Sequence, residues 1–159
     1  MDKSAILRQL IDKVQQELKL AEAAADSAKS LNSSEEFKQE SKYDTRAIES
    51  GYLAGAQLAR VNDLKLELEM LEDINPSSQM PTDAIAIGSV VELELNSKQQ
   101  CYFLCSTAGG TLLNIDGKSV LVLSVFSPIG NAMLGLVAGD FFEIETPKGT
   151  REYMVLSVN

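Results

Sequence analysis

The sequence predicts an α+β protein, in which a long antiparallel helical hairpin precedes a small antiparallel sheet domain with one short helix. Residues 1–74 contain no proline and repeat apolar residues at steps of three and four, the spacing of a heptad seam. Beyond residue 85 apolar and polar residues alternate, which is the period of a half-buried strand. Pro76 and Pro81 separate the two patterns and indicate a break between two structural units.

Two apolar seams predict the arms of the hairpin. The seam of the first arm consists of Leu7, Ile11, Val14, Leu18, Ala21, Ala25 and Ala28. The seam of the second arm consists of Ala47, Ser50, Ala54, Gln57, Val61, Leu64, Leu68 and Leu71. Paired antiparallel with Leu7 facing Leu68 and Ala21 facing Ala54, the seams match large residues near the chain ends and small ones near the bend. This register places the bend near residues 37–38 and gives each arm a length of about 45 Å.

The chain is expected to divide into a helical coiled-coil hairpin at 1–74, a linker at 75–85 and a sheet domain at 86–159. The linker is indicated by its two prolines, which disfavour a continuing helix. Within the sheet domain, Ser127 is placed to cap a short helix, and Pro128 occupies the first helical position, where no amide donor is needed. Gly135 supplies the left-handed residue that ends this helix.

The composition excludes several classes of function. The chain has 159 residues and a net charge of -9, and it contains no apolar run long enough to span a membrane. Its basic residues are not clustered, so phosphate-based nucleic-acid binding is not expected, and any action near nucleic acid requires a protein partner. Cys101 and Cys105 are too far apart along one predicted strand for an easy disulfide, and without histidine they cannot complete a zinc site. We expect a cytoplasmic protein with no signal peptide and no metal of its own.

The stretch from Ser127 to Gly135, Ser-Pro-Ile-Gly-Asn-Ala-Met-Leu-Gly, is followed by Asp-Phe-Phe-Glu-Ile-Glu-Thr-Pro at 140–147. Together they resemble the C-terminal domain of the Gre transcript-cleavage factors, GreA and GreB. That family has a Ser-Pro-Leu-Gly-x-x-Leu-Leu-Gly helix before a Gly-Asp…Val-Glu-Thr-Pro-x-Gly hairpin. Residues 47–57 are similar to the second helical arm of the family. The resemblance implies an FKBP-like C-terminal domain and a monomeric cofactor of bacterial RNA polymerase that is not itself an enzyme.

The resemblance also implies a mechanism. Family members dock the sheet domain at the rim of the secondary channel of RNA polymerase and insert the hairpin into that channel. Carboxylates at the tip then complete the coordination of a weakly held Mg²⁺ in the polymerase active site, and the polymerase cleaves a backtracked transcript. Stimulation of transcript cleavage is therefore the expected function, and Ser127, Pro128 and Ile129 are the predicted docking residues.

The predicted tip departs from the family pattern. The family has two acids three positions apart, whereas the residue three after Asp44 is Ala47. Asp44 is carried over from the family as a Mg²⁺-directed carboxylate. One candidate companion is Glu40, which lies one helical turn earlier. The other is Glu49, which is favoured when Gln57 is aligned with the glutamine of the family's second arm. A solvated helix face of mixed charge is an alternative interpretation of the same acids.

Three other functions are compatible with the pattern. The missing second acid favours a factor that occupies the polymerase channel and regulates transcription without cleavage. The FKBP-like sheet alone suggests a peptidyl-prolyl isomerase or a chaperone, although a fold does not carry a function. A coiled-coil adaptor is disfavoured, because the apolar seam is already used within one chain.

Overall fold

The computed structural model describes residues 2–33, 45–76 and 83–159. Its elements in chain order are α1 (Lys3–Ser33), α2 (Thr45–Glu72), β1 (Val90–Leu95), β2 (Lys98–Cys105), β3 (Leu112–Ile115), β4 (Lys118–Ser124), α3 (Pro128–Met133), β5 (Phe141–Thr146) and β6 (Gly149–Val158). Two long helices therefore precede a six-stranded sheet with one short helix, which confirms the predicted α+β class. Within the described ranges, no helix is both long enough and apolar enough to cross a membrane.

The chain forms two compact units. The helical unit is Asp12–Glu69, and the sheet unit combines Met1–Ile11 with Met70–Asn159. The sheet unit thus includes the first turns of α1 and the last turn of α2. The division at 74 and 85 drawn from the sequence pattern stays a prediction.

The helical unit buries much of the predicted apolar seam. Its buried apolar side chains are Val14, Ala21, Ala25, Ala28, Val61 and Leu64. Two ion pairs join α1 to α2 on the solvent side: Arg60 lies 2.9 Å from Glu17, and Lys65 lies 3.5 Å from Glu22. Because all four charged side chains are largely exposed, these pairs add little stability, and the buried seam carries the association of the helices.

The two ion pairs differ in how well they fit the register predicted for the hairpin. In that register Glu17 faces Leu58, about 3 Å along the axis from Arg60, whereas Glu22 faces Leu53, about 18 Å along the axis from Lys65. A heptad pattern defines which face of each helix is apolar. A shift by one heptad leaves two such faces matched, so the pattern does not define their axial alignment.

The sheet has the strand order β3-β4-β2-β1-β6-β5. All neighbours are antiparallel except β2 and β4, which are parallel with Phe103 beside Val122. The prediction of a wholly antiparallel sheet is therefore wrong at this pair. The β3–β4 hairpin joins the sheet through its second strand, because β4 has the buried residues Val120, Val122 and Leu123 on its two faces. The shorter β3 remains at the edge, where Leu112 is exposed.

One face of the sheet carries a hydrophobic core to which α3 contributes Met133. The buried members of this core are Ile85, Val91, Leu93, Tyr102, Leu104, Leu123, Met133, Tyr153 and Val155. Phe142 stacks on Tyr153 with ring centroids 5.1 Å apart and planes 10° from parallel. This pair joins β5 to β6 by side-chain packing as well as by backbone pairing.

The start of α1 is tied to the β3 edge of the same sheet. The Gln9 amide nitrogen donates to the carbonyl oxygen of Asn114, and the Asn114 N–H donates to the Gln9 amide oxygen, both at 3.2 Å. Ile6 and Leu10, on the same turns of α1, are fully buried. The sheet domain is therefore completed by residues more than eighty positions earlier in the chain.

Candidate functional site

The predicted docking residues lie at the start of α3. Ser127 is the N-cap: its hydroxyl accepts a 3.0 Å hydrogen bond from the N–H of Gly130 and donates one of 2.7 Å to the carbonyl oxygen of Ser124. Pro128 follows at a position where its missing N–H costs nothing. One side chain therefore both begins the helix and anchors it to the end of β4.

Gly130 allows α3 to lie directly on the end of β4. A Cβ atom at this residue would lie 2.0 Å from the carbonyl oxygen of Ser124 and 3.0 Å from the hydroxyl of Ser127. The first distance is too short for any side chain without movement of the backbone, and the second is tighter than an ordinary contact. The close contact, together with the Ser127 cap, holds α3 in one position on the sheet.

The three predicted docking residues differ in how much surface they present. Pro128 is exposed, whereas Ser127 is only partly exposed and uses its hydroxyl within the protein. Ile129 is partly buried and packs against the core of the sheet. Of the three, Pro128 therefore presents the most surface, whereas Ser127 and Ile129 make contacts within the sheet unit, and the docking role of all three stays a prediction.

An exposed apolar rim beside α3 was missed in the sequence analysis. Phe126 directly precedes the N-cap and has 82% of its surface exposed, and Leu134 and Val137 beyond the helix are also exposed. The Phe126 N–H donates to the hydroxyl of Ser124 at 3.2 Å, so its backbone is held while the side chain remains in solvent. Ile129 and Met133 supply the core contacts of α3, which leaves Phe126 without a core position, and the sequence pattern alone did not indicate this.

An aspartate fixes the loop that carries part of this rim. The Asp140 carboxylate accepts a 2.9 Å hydrogen bond from the N–H of Val137, and the Asp140 N–H donates to the carbonyl of Val137 at 3.1 Å. Asp140 is also joined to β6, because its carbonyl accepts from the N–H of Val155 at 2.9 Å. The loop after α3 is thus hydrogen-bonded at both ends.

The predicted tip carboxylates are only partly described. Asp44 and Glu40 lie outside the described residues. Glu49 lies near the start of α2, and its side chain is exposed. Within the described ranges, no three acidic or cysteine side chains come together in a way that could hold a metal ion. The grouping of Asp44, Glu40 and Glu49 stays a prediction.

The first half of α2 exposes a second apolar surface. A shallow groove of about 570 Å³ is lined by Ile48, Gly51, Tyr52, Gly55 and Ala56. Tyr52 is 77% exposed, and no atom lies within 4 Å of a Cβ placed at Gly51 or Gly55. Tyr52 therefore does not pack into the apolar seam of the helical unit.

Comparison with known proteins gives one family. The family described as transcription elongation factor GreA/GreB, C-terminal domain, matches residues 80–159. The transcription inhibitor protein Gfh1 of Thermus thermophilus is 32% identical over 120 residues, which cover 74% of this chain and 72% of that protein. The transcription elongation factor GreA of Streptococcus sanguinis is 26% identical over 155 residues, 95% of this chain and 90% of that protein. A crystal structure of Gfh1 from Thermus thermophilus aligns over 94% of both chains with 23% identity and a TM-score of 0.39.

Proposed function

Because the chain belongs to the GreA/GreB family of transcription elongation factors, we propose that it binds bacterial RNA polymerase and acts from the secondary channel of that enzyme. The observation that carries the proposal is the α3 surface, where the family's Ser-Pro motif forms a capped helix beside exposed apolar side chains. Family membership also supports the prediction that the chain is an accessory factor and not an enzyme.

In this proposal the α3 surface docks on the rim of the channel. Pro128 and Phe126 present apolar area next to a helix that the Ser127 cap and the close contact at Gly130 hold rigid. Exposed aromatic side chains on a rigid element are suited to the centre of an interface, because little side-chain freedom is lost on binding. Phe126 thereby joins Pro128 as a docking residue.

The helical hairpin then enters the channel. Helix α2 has 28 residues, which gives it a length of about 42 Å. The exposed Ile48 and Tyr52 near its start are available for contact with the channel wall. A long pair of helices joined by a buried seam is stiff enough to carry its far end to a distant site.

We propose that the activity inside the channel is occupancy without transcript cleavage. Ala47 stands where the family pattern has its second acid, and a lone Asp44 would leave the weakly held Mg²⁺ of the polymerase short of a ligand. The 32% identity with a transcription inhibitor supports the same activity. Stimulation of cleavage, with Glu40 or Glu49 as the second acid, is the alternative, supported by the 26% identity with GreA over nearly the whole chain.

The test is transcript cleavage on a stalled, backtracked elongation complex with labelled RNA. We expect no shortened RNA from this chain alone, and slower cleavage when it competes with an authentic cleavage factor. Shortened RNA that disappears with Asp44→Ala would establish the cleavage alternative. If the chain neither cleaves nor competes, polymerase binding itself is refuted.

The α3 surface is tested in the same competition with two matched variants. Phe126→Ser removes the exposed ring beside α3, and we expect it to weaken competition about tenfold, as loss of an interface anchor does. Phe141→Ser removes an exposed ring of β5, which is 59% exposed and lies outside the proposed surface. Equal competition by the two variants would contradict docking through α3.

A further inference from the structure

A cavity of about 860 Å³ opens on the sheet where the β1–β2 hairpin meets β4 and β6. Its described lining comes from these four strands and the β1–β2 turn, and none of it comes from α3. Its apolar part includes Leu93, Tyr102 and Tyr153, which belong to the core of the sheet. The volume lies in the range of sites that bind ligands, and the proposed polymerase contacts do not use it.

The cavity concentrates positive charge on an acidic protein. Lys98, Lys118 and Arg151 line it, and all three are exposed. Among the residues that the structure describes, none of these three cations takes part in an ion pair. Glu92, the one acid of the described lining, lies with Lys118 on the Cys101 face of the sheet, so Lys98 and Arg151 give the Tyr102 face an excess of positive charge in a chain whose net charge is -9. This local sign reversal favours an anionic ligand.

Neutral donors lie beside the cations. The Tyr102 hydroxyl donates a 3.1 Å hydrogen bond to the amide oxygen of Gln100, which leaves the two N–H donors of that amide for a ligand. Burial, and to a smaller extent the neighbouring Tyr153, raises the pKa of Tyr102. Ser119 adds a second hydroxyl to the lining.

Because the cations of the cavity are exposed, charge alone does not give an anion a high affinity for this site. An exposed ion pair changes an affinity only about two- to fivefold, so these cations hold a small free anion weakly. A ligand with useful affinity must also bury apolar surface, and within the described lining Leu95 is a half-buried apolar side chain that offers it, whereas Leu93, Tyr102 and Tyr153 are already buried in the core. A peptide that alternates carboxylates with large apolar side chains satisfies both requirements.

We propose that this cavity binds an acidic peptide segment of a protein partner. Carboxylates of the segment pair with Lys98 and Arg151, and an apolar side chain between them packs on Leu95. The site lies on the sheet unit, and its binding can be measured without polymerase. Failure of this proposal and failure of polymerase binding are therefore distinguishable.

The test uses the full chain and a fluorescein-labelled peptide of sequence Glu-Leu-Glu-Phe-Glu, with Gln-Leu-Gln-Phe-Gln as the neutral control. We expect the acidic peptide to bind at least about tenfold more tightly by fluorescence anisotropy, and its affinity to fall with added salt. Amide NMR shifts should include Gln100 and Ser119. The double variant Lys98→Gln, Arg151→Gln should lose about tenfold in affinity.

The matched control is Lys148→Gln, which removes an exposed lysine of the β5–β6 turn outside the cavity and should leave binding unchanged. Equal binding of the two peptides, shifts elsewhere in the sheet unit, or an unaffected double variant would overturn the proposal. Displacement by millimolar inorganic phosphate would assign the site to simple anions. Sedimentation that reveals self-association, lost in the double variant, would assign it to a second copy of the chain. Either result also overturns the peptide proposal.

Discussion

Replacing Gly130 with alanine should both destabilise the sheet unit and impair docking. The new Cβ would lie 2.0 Å from the carbonyl oxygen of Ser124, so α3 and the end of β4 must move apart by about 1.4 Å or more to reach an ordinary contact. Overpacking of this kind costs about 1–3 kcal/mol. The movement also strains the N-cap hydrogen bonds of Ser127, which are worth about 1 kcal/mol.

A smaller favourable effect opposes these costs. Alanine is better than glycine in a helix by about 1 kcal/mol, although α3 is too short to gain the full amount. The balance is a loss of about 1–3 kcal/mol in the free energy of unfolding. Urea denaturation followed by near-ultraviolet circular dichroism measures it, because Tyr102 and Tyr153 are buried in the sheet unit.

The matched control is Gly51→Ala in α2. No atom lies within 4 Å of a Cβ at Gly51, so alanine meets no obstacle there and should stabilise the helix by about 0.5–1 kcal/mol. Opposite signs for the two substitutions are therefore expected. If Gly130→Ala is as stable as the unmodified protein and competes equally well for the polymerase, the close packing of α3 on β4 has no role in presenting the docking surface.

Three further predictions concern the sheet unit. Met133→Ala should cost about 2–5 kcal/mol, measured by urea denaturation, because Met133 is fully buried in the core; a loss below 1 kcal/mol would contradict its packing role. Gln9→Ala should increase hydrogen exchange at the Asn114 amide severalfold, since it removes both hydrogen bonds between α1 and β3; unchanged exchange would mean that the contact contributes no local stability. Burial, followed by the charge of Glu92, raises the pKa of Cys101, so its thiolate fraction and its rate of reaction with a disulfide reagent should be low at neutral pH and rise at alkaline pH. Glu92→Gln should lower that pKa and speed the reaction at a given pH, and an unchanged rate would exclude the electrostatic effect.

Local chemistry made parts of the molecule predictable from sequence. The short helix begins with a Ser127 cap and Pro128, and the chain turns at Gly135 with a φ of 82°, as the motif indicated. The terminal hairpin pairs β5 with β6, as the resemblance to the Gre factors implied. A helix cap is specified by residues a few positions apart, and so is a strand in which apolar and polar residues alternate. The sequence pattern therefore contains the information needed to predict both. The same motif identified the family before any tertiary contact was considered.

Contacts between distant residues were decided only in the tertiary structure. The parallel pairing of β2 with β4 depends on which strand of the β3–β4 hairpin has apolar residues on both faces. The pairing of Glu22 with Lys65 depends on the axial alignment of α1 and α2, which a heptad pattern does not define. The exposure of Phe126 became visible only when the core beneath α3 proved complete without it. Local propensity depends on near neighbours, whereas strand order, helix register and exposed surface are set by the packing of the whole fold. The sequence by itself therefore determined the elements and the family, and the tertiary packing determined which side chains remain available to a partner.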